Sequence, residues 1–365
     1  MTILAFAPAR LGPITLTNHL VMAPMTRSRA LGNVPNALMA DYYRQRASAG
    51  LIISEGVSPS PDGLGYARIP GLFAKEHVEG WRLTTDAVHE EGGHIFAQLM
   101  HAGRIFHPLN LPAGASGVAP SAIPAAGDMW TDQEQMKKNG TPRALSLDEV
   151  KHVQGEYVKS ARLGIEAGFD GIELHGANGY LLEQFLHPRS NQRTDEYGGS
   201  VQKRARFVIE VARGVADAIG ADRTGIRLSP WSKFNDMAHF PETDEAYGYL
   251  AEELQKIGIV YVHVVDHSRL AGLEAAAKTV AVIRSAFTNT YISSGNYTTL
   301  DDIETALSSG AADLVAMARP FIANPDLVER LRLGLPLADA NPATFYAPGP
   351  HGFADGYTDY PMATR

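Results

Sequence analysis

His175, Asn178 and Tyr180, in the stretch His-Gly-Ala-Asn-Gly-Tyr, combine two hydrogen-bond donors with a proton source. If the stretch is a helical turn, an imidazole and an amide three positions apart face the same way and can donate to one oxygen together. Tyr180 carries a phenol with an ordinary pKa of about 10, so it holds its proton at neutral pH and yields it only to a strong base. A plainer reading makes His175 a satisfied structural histidine and places Tyr180 in the core with Leu181 and Leu182. Residue type and spacing alone leave both open.

A second group suits an anion. Ser294-Gly295-Asn296 lets backbone N–H groups approach a phosphate closely, and Arg319 supplies a guanidinium that can bind it in a bidentate manner. A turn glycine and a surface arginine would read the same way.

These residues are positioned by a repeating pattern of a short apolar run, a break and an amphipathic stretch. The runs predict strands at Leu20–Ala23, Leu51–Ser54, Ile95–Leu99, Gly171–Leu174, Gly225–Leu228, Val260–Val265, Tyr291–Ser293 and Leu314–Met317. They are short and mostly rich in Ile, Leu and Val, as strands covered on both faces should be. Helices are expected at Pro35–Ala49, Val78–Glu91, from Ser146-Leu-Asp-Glu149 toward Gly168, and at Val201–Ile219, Thr243–Ile257, Ala275–Phe287, Leu300–Ser308 and Pro325–Arg332.

Eight such units predict an α/β fold, a (β/α)8 TIM barrel forming one domain over residues 1–365. An open doubly wound sheet is the weaker alternative, because no Gly-x-Gly-x-x-Gly follows an early strand. An N-terminal hairpin at about 5–18 should cap the barrel bottom. The Gly- and Pro-rich excursion 102–145, after the third strand, has the length of a lid or binding loop. The segment 341–365 should fold over a rim.

Working residues of a barrel sit at the C-terminal ends of its strands. Those ends carry Pro24-Met-Thr26, Glu55-Gly56, Gln98, His175, Arg227, Gly295-Asn296 and Ala318-Arg319. They offer neither a metal-ligand cluster nor a serine nucleophile elbow.

Bulk composition fits. A hydrophobic fraction of 45% over 365 residues supports a large core, and the net charge of −8 argues against a nucleic-acid partner. The absence of cysteine excludes disulfides, thiolate metal sites and cysteine nucleophiles. With no secretory signal and no run of about 18 apolar residues, a cytoplasmic protein without a membrane partner is expected.

The assembled motifs resemble the Old Yellow Enzyme family of FMN-dependent ene-reductases. The resemblance is carried by Pro24-Met-Thr26, Gln98, His175-Gly-Ala-Asn-Gly-Tyr-Leu-Leu-Glu-Gln-Phe-Leu186, Asn191-Gln-Arg-Thr-Asp-Glu-Tyr-Gly-Gly-Ser200, Arg227-Leu-Ser-Pro230 and Ala318-Arg-Pro-Phe-Ile-Ala-Asn-Pro-Asp-Leu327. It spans about residues 5–333, and Thr344-Phe-Tyr346 also fits.

The resemblance implies non-covalent FMN across the barrel mouth, reduced by NADPH or NADH. It implies reduction of the activated C=C bond of α,β-unsaturated carbonyl or nitro compounds, with His175 and Asn178 on the substrate oxygen and Tyr180 as proton donor. Thr26 and Gln98 would hydrogen-bond the flavin pyrimidine edge, and Arg227 would face N1. Pro24 and Gly56 would meet the flavin through backbone, while Gly295, Asn296, Ala318 and Arg319 would take the phosphate. Met100, where many relatives carry tryptophan, and Tyr346 would shape the substrate pocket, with Trp231 a further possibility. Ala318 replaces a common glycine, which requires a negative φ there. The chain would work as a monomer or homodimer. His101, His187 and Asp266-His267 keep a metal-dependent barrel hydrolase as an alternative, and a flavin-binding protein with little turnover is another.

Overall fold

The computed structural model describes residues 3–363. Eight parallel strands close into a barrel: β1 (Leu20–Met22), β2 (Leu51–Val57), β3 (Ile95–Leu99), β4 (Gly171–Gly176), β5 (Thr224–Leu228), β6 (Tyr261–Val265), β7 (Thr290–Ser294) and β8 (Leu314–Met317). This is the expected (β/α)8 fold, and the apolar runs place every strand to within a few residues.

The period of two along each strand divides the core. Val21, Leu51, Ile53, Phe96, Tyr261, Ile292 and Leu314 fill the barrel interior together with Ala9, Leu11 and Leu16 of the N-terminal segment. Their neighbours Leu20, Met22, Ile52, Ile95, Ile172, Ile226 and Val262 pack outward among the helices. Ala9–Leu11 pairs antiparallel with Ile14–Leu16, so the expected hairpin forms and plugs one end. On β2 the register slips between Ile53 and Gly56, and Ser54 Oγ accepts the Gln98 backbone N–H at 3.1 Å. A bulge at a strand end re-aims the residues that follow it.

Helices Val201–Ile219, Thr243–Ile257 and Leu300–Ser308 have the predicted bounds. The expected Pro35–Ala49 helix is shorter, Ala37–Arg44, because the Asn36 side chain caps it by accepting from Leu38 N and Met39 N. Ser146 and Glu149 cap the Leu147–Glu166 helix reciprocally. Three short helices, Leu181–Leu186, His267–Ala271 and Arg319–Ala323, went unforeseen, as did an antiparallel hairpin of Asp128–Thr131 and Gln135–Lys138 inside the long excursion.

The C-terminal segment lies over the end of β1, held by buried arginines. Arg27 donates to Phe345 O (3.1 Å) and Gly356 O (2.6 Å), and Arg29 donates to Thr344 O (2.8 Å). Tyr357 stacks on Tyr42 with ring centroids 4.1 Å apart.

Candidate active site

A cavity of 390 Å³ opens at the C-terminal ends of the strands. Pro24, Thr26, Gly56, Gln98, Met100, His175, Asn178, Tyr180, Arg227, Ala318 and Arg319 line it, as expected from their positions at and after the strand ends, and Tyr346 of the C-terminal segment joins them. Gly295 and Asn296 are not among its lining residues; a Cβ on Gly295 would lie 2.8 Å from Cδ of Arg269. Trp231 is not there either. It stacks on His239 at 4.0 Å and donates to Thr279 Oγ1, which makes it a packing residue.

The His175–Tyr180 stretch is not a helical turn. His175 is the penultimate residue of β4, and the chain then reverses through Asn178 (φ 56) and Gly179 (φ 77), both left-handed. Asparagine tolerates that conformation and glycine favours it, whereas a Cβ on Gly179 would also meet Asn235 Cβ at 2.8 Å. His175 and Asn178 therefore reach one cavity through a strand end and a tight turn rather than through helical spacing.

Glu183 pins this turn. Its carboxylate accepts from Gly179 N (2.6 Å), Tyr247 OH (2.6 Å) and Ser229 Oγ (3.1 Å), and Ser229 Oγ in turn accepts from Asn178 N (2.7 Å). Asn235 Nδ2 donates to Asn178 O at 2.8 Å. Burial outweighs the donors around Glu183 and pushes its pKa up to about 7.

Burial also sets the protonation of the key side chains. The His175 pKa is held well below its ordinary value by desolvation, helped by Arg227 and His263, so the ring is neutral. Tyr180 is pushed well above 10 by the same burial, and its hydroxyl donates to Tyr66 OH at 3.0 Å. The His175 and Tyr180 rings meet edge to face at 4.8 Å.

Sequence reasoning missed Tyr66, which comes from the loop after β2 and carries no motif. It also missed Met25, Arg27, Phe234, Ile322 and Phe345, which complete the cavity wall. The long excursion contributes as well: Ile105, Ala125 and Met129 pack with Met100 and Tyr180 in one apolar cluster. Arg68 ties the rim together. It donates to Ser28 O (3.1 Å) and Tyr346 O (3.0 Å) and pairs with Asp132 at the tip of the excursion's hairpin.

The other histidines are accounted for structurally. His101 is fully buried with its pKa down to about 3, and its Nδ1 accepts from Gly103 N. His187 bonds Ala238 O, and Asp266 caps the helix that begins at His267. Among the described residues no three His, Asp or Glu side chains form a group able to hold a metal.

Residues 5–338 match the NADH:flavin oxidoreductase / NADH oxidase family. The chain belongs to the Old Yellow Enzyme family. This Old Yellow Enzyme homologue is 40% identical to 12-oxophytodienoate reductase 2 of Arabidopsis thaliana, covering 97% of this chain and 94% of the relative. It is 41% identical to a chanoclavine-I aldehyde reductase of Penicillium roqueforti, covering 99% and 96%. Among solved structures it resembles morphinone reductase in complex with tetrahydroNAD, with a TM-score of 0.91, 41% identity and 99% and 98% coverage.

As a member of that family the protein is a flavin oxidoreductase that uses FMN, with NAD(P)H as reductant. The cavity suits FMN. His175 Nδ1 and Arg227 Nε are buried polar atoms without a partner in the protein, as expected where a polar ring edge belongs. Gly56 lets the cavity wall close up, since a Cβ there would lie 2.5 Å from Met100 Sδ. Ala318 has φ −104, outside the left-handed region that would demand glycine, so the expected negative φ is met. No helix of the described residues is long and apolar enough to cross a membrane.

Proposed function

We propose that the enzyme reduces the C=C bond of α,β-unsaturated carbonyl or nitro compounds, with His175 and Asn178 binding the electron-withdrawing oxygen and Tyr180 protonating the α-carbon. The observation that carries this reading is the convergence of a neutral buried imidazole, an amide and a protonated phenol on one cavity wall. The chemistry FMN supplies when bound is hydride transfer, from NAD(P)H to the β-carbon.

Negative charge then builds on the substrate oxygen. His175 and Asn178 can donate to it from a desolvated wall, where fixed donors are worth more than in water. Because Glu183 and Ser229 fix the turn, these donors need no reorganisation as charge develops. Tyr180, with its raised pKa, keeps its proton until the α-carbon becomes strongly basic. The new C–H bond forms as the O–H bond breaks, and the phenolate left behind has the Tyr66 hydroxyl at 3.0 Å to stabilise it.

The same pocket would admit the nicotinamide before the alkene, giving alternating use of one site. Met100, Phe234 and Tyr346 give its outer wall an apolar and aromatic character. Neither the metal-dependent hydrolase nor the passive flavin carrier accounts for the His175, Asn178 and Tyr180 constellation.

Tyr180→Phe tests the assignment. Flavin reduction by NADPH, followed in a stopped-flow instrument, should be nearly unchanged, while alkene reduction slows by about 10²–10⁴-fold. An equal loss in both half-reactions refutes the proton-donor role.

A further inference from the structure

Directly beneath the cavity the barrel interior changes from apolar to ionic. Glu173 lies two residues before His175 on β4, so the two share the inward face, and Glu173 has no solvent exposure. Its carboxylate accepts from Gln98 Nε2 on β3 (2.8 Å), and from Tyr261 OH (3.1 Å) and His263 Nδ1 (2.9 Å) on β6. His263 is kept neutral by burial, so the net charge of this cluster is the carboxylate's own.

Two cavity-lining groups feel that charge. Gln98 commits an Nε2 hydrogen to Glu173, and the reversed amide would set its carbonyl oxygen against the carboxylate. Its Oε1 is therefore directed away from Glu173 as a free acceptor. Arg227, buried on β5 directly opposite His175 and so one inward step from Glu173, has no carboxylate in hydrogen-bond contact, and the Glu173 charge supports its cationic form.

We propose that Glu173 is a positioning residue for the flavin: it fixes the Gln98 amide and offsets part of the Arg227 charge, and thereby keeps the reduction potential of bound FMN low. The inference rests on the reading that Gln98 and Arg227 face the flavin pyrimidine edge. Reduction adds negative charge at that edge. An uncompensated Arg227 would stabilise the added charge fully, making the flavin easier to reduce and a weaker donor to an alkene. The buried carboxylate restores reducing power without touching the flavin.

Glu173→Gln in the purified holoenzyme, poised anaerobically against a reference dye, separates charge from shape. The oxidised-to-reduced partition should shift at least tenfold toward reduced FMN, about 30 mV for a two-electron couple. No shift, or a shift toward oxidised FMN, overturns the proposal. Glu173→Asp keeps the charge and should hold the partition within about threefold of wild type; a tenfold shift toward reduced FMN there overturns it even if the Gln variant fails to retain flavin. Gln98→Leu distinguishes the two layers of the argument. If it changes neither FMN affinity nor potential, the pyrimidine-edge reading fails, whereas an effect of Gln98→Leu without one of Glu173→Gln refutes the Glu173 proposal alone.

Discussion

Removing the Glu183 carboxylate should damage stability and substrate binding together. Glu183→Ala strands three donors in a desolvated site: Gly179 N, Tyr247 OH and Ser229 Oγ. Each stranded group costs about 1–3 kcal/mol, and because they share one vacated space that water can enter, the sum is about 4 kcal/mol. With unfolding entropy of about 2.1 cal/mol/K per residue, a chain of 365 residues gains about 0.8 kcal/mol/K, so Tm should fall by about 5 °C. The functional effect follows because Asn178 is held through Ser229 and through its neighbour Gly179. A shift of the turn by a fraction of an ångström misaligns the oxygen-binding pair, and binding of a phenolic ligand, titrated through the flavin absorbance, should weaken about tenfold or more. Phenol affinity unchanged in a protein whose Tm has dropped would show that the turn keeps its shape without Glu183. An unchanged Tm would refute the energetic argument outright.

Glu55 and Glu183 both have pKa values raised from 4.5 to about 7, with burial the largest cause. The native state therefore binds more protons than the unfolded chain between these values, and stability contributed by these groups is lost as pH rises through that window. Thermal unfolding at pH 5 and pH 8 should show this decline, and Glu55→Gln should flatten it; an identical slope in the variant would exclude Glu55 as a source. Arg27→Met removes the donors to Phe345 O and Gly356 O. The C-terminal segment should become protease-sensitive and KM for the alkene should rise roughly tenfold, because Phe345 loses its bond to Arg27 and Tyr346 is left to Arg68 alone. Unchanged protease resistance would mean that Arg29 and the Tyr42–Tyr357 stack hold the segment unaided.

The barrel was legible because its strands are covered on both faces, and such strands read as continuous apolar runs, as at Leu51–Ile53 and Leu314–Met317. The strand-end rule then located most of the cavity lining from Pro24 to Arg319 but failed at the end of β7, where Gly295 and Asn296 do not line the cavity. What remained hidden depends on contacts distant in sequence. Tyr66 reaches Tyr180 across 114 positions, and nothing around it distinguishes it from a packing tyrosine. Trp231 follows β5 closely, yet its left-handed backbone (φ 73) accompanies a ring packed on His239 rather than on the cavity. The three-residue spacing of His175 and Asn178 suggested a helix, whereas a turn that only the Glu183 network explains delivers the same pair.

Arg68 has a consequence for how this enzyme can be altered. Through one guanidinium the loop after β1, the hairpin tip of the excursion and the C-terminal segment share a fastening at the mouth. The walls of the entrance are thus not interchangeable parts. Grafting the excursion of a relative onto this barrel, without a partner for Arg68 at the position of Asp132, would also loosen Tyr346 beside it. Substrate range is therefore a property of the fastened set, and recombining it calls for exchanging the three segments together.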